Sequence, residues 1–246
     1  MIISFFEEYP TKENLKKLRL ITWHSKLYIA SKSLNEFNKI KSKIKNNNIK
    51  EMIYWPILAK KEGYWISPFS KRKPLFKILN EIKNIPVMID AELPTTQNPI
   101  LYITQLLNFS KNKKFIKNFI LNNKSVYVAE YCTNSRILEM KLSVLGLHFD
   151  PNKFNNKVIK MIYHSMHNYS DRNITDILKA GRKRFKDKFI AAFGTIAVGV
   201  KKNEPKLSLN LLKKDLDIAK NEGIKEVIIY RLGGLNKEYV ELLKQY

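Results

Sequence analysis

The stretch SVYVAEYCTNSRILEMKLSVLG, residues 125–146, contains the unit that decides the fold. Its first seven residues are rich in Val and Tyr, which favour extended strands. A polar turn follows, and from about Thr133 to Gly146 apolar residues recur at helical spacing. Val126 and Val128 belong to a run that is apolar on consecutive positions, as in a parallel strand buried on both faces. The stretch therefore predicts one strand, one turn and one amphipathic helix.

The same unit recurs on both sides of this stretch, eight times in all. The strand-like runs lie at 2–6, 27–30, 52–58, 86–93, 125–131, 158–166, 189–200 and 226–232. Strands that alternate with helices imply parallel strands joined by right-handed crossovers. Eight such units in 246 residues fit a closed (β/α)₈ barrel better than an open doubly wound sheet. No composition break marks a second domain, so we predict a single (β/α)₈ (TIM) barrel domain over residues 1–246.

Three local signals predict where helices begin and end. Ser33 with Glu36 three residues later has the spacing of an N-terminal capping box. Gly223 follows a periodic segment, where glycine suits the left-handed residue after a helix. The helical stretch at 100–121 is long, and we expect it to break near Ser110.

The net charge is strongly positive, at +23, and most of the excess is lysine. Base reading and bidentate phosphate contacts favour arginine. Only seven arginines occur, which favours solvated helix faces over a dedicated polyanion surface. A non-catalytic barrel whose Lys-rich surface binds a nucleic acid, an anionic lipid or another polyanion stays as an alternative. The seven are Arg19, Arg72, Arg136, Arg172, Arg182, Arg184 and Arg231.

Apolar content and cysteine usage predict a soluble, cytoplasmic protein without a membrane span. Hydrophobic residues make up 44% of the chain, yet no apolar run approaches the roughly 20 residues of a span. The apolar start has no basic leader and meets Glu7 and Glu8, which is typical of a strand rather than a signal peptide. The single cysteine, Cys132, excludes an internal disulfide and any cysteine-cluster metal site, and it fits a reducing compartment.

Acidic residues gather where the predicted strands end, and active sites of such barrels lie at this end. The fourth run ends in Asp90 and Glu92, whose spacing places both side chains on one face. The fifth run ends at Glu130, and neighbouring strands lie about 4.8 Å apart, so Glu92 and Glu130 would approach each other if their registers agree. Close carboxylates raise one another's pKa, which leaves one as a general acid and one ionised. We therefore predict a hydrolase that cleaves a carbohydrate or another small substrate, with Glu92, Asp90 and Glu130 as catalytic residues.

Other polar and aromatic residues near the same strand ends are candidates for substrate binding. Aromatic rings stack on sugars, although Trp55 and Trp65 are equally suited to packing. Asp90 could also pair with Lys32 or Arg231 rather than act in catalysis. The candidate substrate-binding residues are Glu7, Trp55, Trp65, Tyr163, His164, Tyr230 and Arg231.

Two short motifs resemble family 18 glycoside hydrolases, which are (β/α)₈ barrels. The Asp90-x-Glu92 strand end resembles the last part of that family's D-x-x-D-x-D-x-E strand, and residues 161–164, Met-Ile-Tyr-His, resemble its M-x-Y-D strand. The resemblance implies Glu92 as general acid, Asp90 as its orienting partner and Tyr163 as a residue that positions the substrate. The sequence departs from the family at the acidic positions before Asp90, at His164 and at Tyr230, where the family has Trp. We interpret this as similarity to glycosidase-like barrels in general.

Two rival enzyme chemistries remain. A metal-assisted reaction would take ligands from His148, Asp150, His164, His167 and Glu130. A phosphate-handling reaction would use the loop after the seventh strand, which is where barrels often bind phosphate. Its residues are Gly194, Thr195, Gly199, Lys201 and Lys202. The sequence has no dinucleotide-binding, Walker, H-E-x-x-H or G-x-S-x-G motif, so we predict no cofactor and no bound metal.

Overall fold

Eight apolar runs form the β-strands of the computed structural model, which describes residues 1–133, 135–200 and 202–246 and, at Thr96, the backbone alone. The strands pair in chain order and β8 returns to β1, so the barrel is closed, and the strand pairs are parallel. The fold is a (β/α)₈ barrel, which confirms the predicted fold class. The strands are β1 (Ile2–Glu7), β2 (Ser25–Ser31), β3 (Ile49–Pro56), β4 (Val87–Asp90), β5 (Val126–Tyr131), β6 (Lys157–Ile162), β7 (Phe189–Gly194) and β8 (Glu226–Tyr230).

Helices occupy the segments between the strands. The α-helices among the described residues are α1 (Lys12–Lys16), α2 (Leu34–Lys41), α3 (Arg72–Asn80), α4 (Leu101–Thr104), α5 (Phe109–Asn122), α6 (Arg136–Val144), α7 (Pro151–Phe154), α8 (Asp171–Phe185), α9 (Leu209–Asn221) and α10 (Lys237–Leu243). Single 3₁₀ turns follow α1, α4, α8 and β8, and two more lie in the loops after β3 and β4. Among the described residues, no helix is long and apolar enough to cross a bilayer.

The predicted helix ends are confirmed at two positions and displaced at a third. The Ser33 hydroxyl accepts a hydrogen bond from the Glu36 N–H, and the Glu36 carboxylate accepts one from the Lys32 N–H. Gly223 has φ +66°, the left-handed conformation expected there. The break predicted near Ser110 falls earlier, because α4 ends at Thr104 and α5 begins at Phe109.

Three predicted strands are clearly shorter in the structure. β4 ends at Asp90 rather than at residue 93, so Glu92 lies in the loop that follows the strand. β6 ends at Ile162, where the chain enters a turn closed by the Met166 N–H on the Tyr163 carbonyl. β7 ends at Gly194, whose φ of +152° takes the backbone out of the strand. Apolar composition continues past the ends of β6 and β7, so the run length overestimates the strand.

Side-chain packing identifies the faces of the strands. Phe37 of α2 contacts Tyr54 of β3 at 5.2 Å between ring centroids, so Tyr54 faces the helices. Tyr54 is aligned with Val87, and aligned residues of neighbouring strands point to the same side. Val87 therefore faces the helices as well, and Asp90, three positions later, faces the barrel interior.

The contacts of the chain divide it into two compact units. Unit 1 comprises Met1–Ala30, Ile40–Ile53 and Ile159–Tyr246, and unit 2 comprises Ser31–Lys39 and Tyr54–Val158. Unit 1 contains β1, β7 and β8, which are joined edge to edge. Unit 2 contains β4 and β5, which are also paired. The single-domain interpretation of residues 1–246 stays a prediction.

Candidate active site

The carboxyl end of β4 carries two acidic side chains in unit 2. Asp90 is the last residue of the strand, faces inward and is only 4% exposed. Glu92 follows two residues later and is half-buried. The end of β4 and the loop after it thus carry one deep and one shallower carboxylate at the end where such barrels bind substrates.

Tyr131, the last residue of β5, completes this group. Its hydroxyl oxygen accepts a hydrogen bond from the Leu93 N–H at 3.0 Å. Burial raises the pKa of the Tyr131 phenol far above its usual value, and the negative charges of Glu92 and Asp90 raise it further. The phenol therefore stays protonated and can donate a hydrogen bond. Asp90, Glu92 and Tyr131 are called the acid–tyrosine cluster here.

Tyr131 was not among the residues predicted from the sequence. It could have been found from the register, because Asp90 is aligned with Ala129, and Tyr131 lies two residues further along the same face. The register of paired strands is known only from the structure, however, so the sequence alone did not indicate Tyr131.

The same register shows that the expected approach of Glu130 to Glu92 is wrong. Because Asp90 is aligned with Ala129, Glu130 points to the opposite face of the sheet. The Glu130 carboxylate is fully buried there. One oxygen lies 2.7 Å from His148 Nδ1, and the other accepts the Phe149 N–H at 2.7 Å. Glu130 is thus held by the loop before α7, outside the acid–tyrosine cluster.

Unit 1 brings two predicted aromatic residues together with an acid that was not predicted as a site residue. Gly194 and Phe6 are aligned with Tyr230, whose ring lies 5.6 Å from that of Tyr163. The Tyr230 hydroxyl donates a hydrogen bond to the Glu8 carboxylate. Burial and the charge of Glu8 raise the pKa of Tyr230 well above its usual value. Tyr230 is therefore a protonated donor committed to Glu8.

Glu7 and Arg231, predicted as substrate contacts, bind each other. Arg231 Nη1 lies 2.9 Å from the Glu7 carboxylate, which also accepts the N–H groups of Tyr9 and Gly233 at 2.7 Å each. Burial raises the pKa of Glu7, and the charge of Arg231 opposes that rise. This enclosed carboxylate joins the end of β1 to the turn after β8. The geometry favours a structural role for the pair.

The two tryptophans predicted as sugar platforms have little exposed surface. Trp55 is 3% and Trp65 7% exposed. Trp65 packs edge-on against Tyr64, with the ring centroids 5.4 Å apart. Trp55 follows the outward Tyr54, so it faces inward like Asp90. Neither presents an open ring face for stacking.

His164 lies just after β6 and is paired with a buried acid on α9. Its Nδ1 is 3.0 Å from the Asp215 carboxylate, and Asp215 is completely buried. Burial raises the pKa of Asp215 to about 6, while the hydrogen bond and charge of His164 lower it. Asp215 shares the buried face of α9 with Leu212 and Leu216, so an acid inside an apolar helical stripe was the available sequence signal.

The structure also places the residues predicted for a metal-assisted and for a phosphate-handling reaction. Among the described residues, no three His, Cys, Asp or Glu side chains are grouped so as to hold a metal ion. Lys201 lies outside the described residues. Gly194, at the end of β7, and Gly199, in the loop after it, make room for Tyr230. A Cβ on Gly194 would lie 2.6 Å from the Tyr230 carbonyl oxygen, and one on Gly199 would lie 2.0 Å from its hydroxyl.

The arrangement defines a (β/α)₈ barrel with an acid–tyrosine cluster at the ends of β4 and β5. No protein-family model matches the sequence, and no curated protein matches it.

Proposed function

We propose that this protein is a glycoside-hydrolase-like enzyme that cleaves a carbohydrate by general acid/base catalysis at the acid–tyrosine cluster. The supporting observation is that the N–H of Leu93, the residue after Glu92, donates a hydrogen bond to the Tyr131 hydroxyl at 3.0 Å, which brings the acidic segment after β4 beside the phenol at the end of β5. Two carboxylates and a neutral hydroxyl are the groups that breaking a glycosidic bond needs, since one acid must donate and one must stay ionised.

The roles follow from access to the substrate and from the resemblance to family 18 glycoside hydrolases, which implies Glu92 as the general acid. Glu92, which is the more accessible acid, donates its proton to the leaving oxygen as the C–O bond breaks. Water then adds to the anomeric carbon and returns a proton to Glu92. Asp90 is then the acid that must stay ionised to stabilise the positive charge that develops on the sugar. Burial alone favours the protonated form of a carboxyl, so this role requires a hydrogen bond that holds the charge. Tyr131 donates a hydrogen bond to the substrate or to Asp90.

The test is hydrolysis of a panel of aryl α- and β-glycosides and soluble polysaccharides, measured by released phenol and by reducing ends. Glu92→Gln should lower kcat at least about 100-fold, because it removes the proton donor. Tyr131→Phe should lower it about tenfold. Glu241→Gln, at an exposed acid on α10, is the matched control and should leave the rate unchanged. A wild type inactive on the whole panel, or an active Glu92→Gln variant, would overturn the proposal.

A second candidate function, handling of a phosphorylated ligand, is favoured by a cavity in unit 1. The cavity has a volume of about 570 Å³ and lies beside the loops after β7 and β8, where barrels often bind phosphate. Lys17, Lys206, Gly233 and Glu238 are among the residues that line it. Calorimetry with inorganic phosphate and a hexose phosphate tests this function. Lys206→Gln should weaken binding and Glu238→Gln should strengthen it, and no heat with either ligand would exclude it.

A further inference from the structure

Large apolar side chains are exposed at one part of unit 2. Among the described residues, eleven large apolar side chains are exposed, and eight of them lie in two segments, around α4 and along α6. Leu107 is 93% and Ile103 80% exposed. The eight residues, called the apolar face, are Ile100, Ile103, Leu106, Leu107, Ile137, Leu138, Met140 and Val144. So many exposed apolar side chains in two short segments mark an interaction surface.

The charge around the apolar face is almost entirely positive. Residues 97–147 contain seven Lys or Arg and two acids. One of these acids, Glu130, is buried against His148. Exposed apolar side chains with lysines around them match a partner that has an anionic surface and an apolar interior. A bilayer that contains anionic lipid is such a partner.

The two segments are neighbours. The Lys113 ammonium of α5 donates a hydrogen bond to the Val144 carbonyl at the end of α6, at 2.6 Å. Leu107 precedes α5 and lies six residues before Lys113, a rise of about 9 Å along a helix. Both segments also follow strands of the acid–tyrosine cluster, because α4 comes after β4 and α6 after β5.

A small cavity adjoins the apolar face. It has a volume of about 200 Å³, and Lys113, Lys117, Val144 and His148 are among its lining residues. The Lys117 ammonium stands 5.4 Å from the centre of the Phe154 ring. Two ammonium groups beside exposed apolar side chains can bind a phosphate group. In a bilayer, that phosphate would belong to a lipid headgroup.

We propose that the apolar face docks on the surface of an anionic phospholipid bilayer, with its side chains among the acyl chains and a headgroup phosphate between Lys113 and Lys117. The protein would be peripheral, since no described helix is long and apolar enough to span. The docking surface is independent of the proposed hydrolysis.

The test is flotation of the full chain with vesicles of phosphatidylcholine alone or with about 30% phosphatidylglycerol. We expect at least about tenfold more binding to the anionic vesicles. The double variant Ile103→Gln/Leu107→Gln should lose about tenfold, and so should Lys113→Gln/Lys117→Gln. Matched controls are Leu121→Gln, half exposed on α5, and Lys73→Gln/Lys77→Gln on α3, which should bind within about twofold of wild type. Circular dichroism and thermal unfolding confirm that each variant is folded.

Four outcomes would overturn the proposal. The first is equal binding, or none, to the two kinds of vesicle. The second is binding that salt abolishes but Ile103→Gln/Leu107→Gln leaves intact, which would be electrostatic adsorption of a cationic protein. The third is a wild-type dimer in sedimentation that this variant dissociates, since a second copy would then cover the apolar face. Inorganic phosphate that binds at the lysines while vesicles do not would likewise show a free anion as the ligand.

Discussion

Several buried charges in this protein are paired with opposite charges, and the Glu7–Arg231 pair is the clearest case. Both side chains are nearly inaccessible, at 0% and 10% exposure. Glu7→Ala should therefore lower the free energy of unfolding by about 3–5 kcal/mol, because it leaves a buried guanidinium without its carboxylate partner. Urea denaturation measures the loss. Lys213→Ala, which breaks the exposed pair with Asp217, should cost under about 1 kcal/mol. Equal losses would show that Arg231 finds another partner.

Asp215 predicts a pH dependence of stability with an unusual sign. Its folded-state pKa is raised to about 6, above the usual value near 4 of an unfolded chain. A carboxyl with a raised pKa stabilises the fold fully below the unfolded pKa and loses that contribution as pH rises through the folded pKa. The stability of the wild type relative to Asp215→Asn should therefore fall between about pH 4 and pH 6.

Asp217, two residues further along α9, is a control of opposite sign. Hydrogen bonds from Lys213 and Tyr246 lower its pKa. The stability of the wild type relative to Asp217→Asn should therefore rise as pH increases from below 4. Denaturant titrations across this pH range measure both differences. The same sign for both variants would contradict the assignment of Asp215.

At the scale of elements, the alternation of strands and helices was readable from the sequence, but the strand registers were not. Apolar runs and helix caps such as Ser33 are local signals, so they predicted eight units and several of their ends. Which residues face each other depends on pairing between strands. Asp90 and Glu92 were therefore predicted from spacing alone. The expected approach of Glu130 failed because its register was unknown, and for the same reason Tyr131 was not predicted. Asp215 was missed because its partner, His164, lies 51 residues away in sequence.

Substitution of two glycines tests how tightly the chain is packed after β8 and after α9. A Cβ on Gly234, after β8, would lie 2.1 Å from the Ile196 carbonyl oxygen, which is backbone and cannot move alone. A Cβ on Gly223, after α9, would meet the end of the Arg182 side chain, which can swing away, although its φ of +66° adds strain. Gly234→Ala should therefore destabilise the protein more than Gly223→Ala, whose cost should be about 1–2 kcal/mol. Thermal unfolding of the two variants compares them directly, and the reverse order would show that the loops after β7 and β8 separate easily.

At the scale of the whole molecule, the positive charge lowers the stability of the fold as well as attracting anionic partners. The net charge of +23 repels itself, and the Debye length shrinks from about 30 Å at 0.01 M to about 8 Å at 0.15 M salt. The Tm should therefore rise by several degrees as sodium chloride is raised over that range. Potassium chloride should give the same rise, because screening depends on ionic strength alone. Phosphate at matched ionic strength should raise the Tm further only if it occupies a site, since a ligand bound to the native state alone stabilises it. Lys206→Gln removes that extra rise if phosphate sits in the cavity beside β7 and β8, whereas Lys113→Gln/Lys117→Gln removes it if phosphate sits beside the apolar face. A Tm that falls with chloride would show that ion pairs, rather than repulsion among lysines, dominate the surface electrostatics.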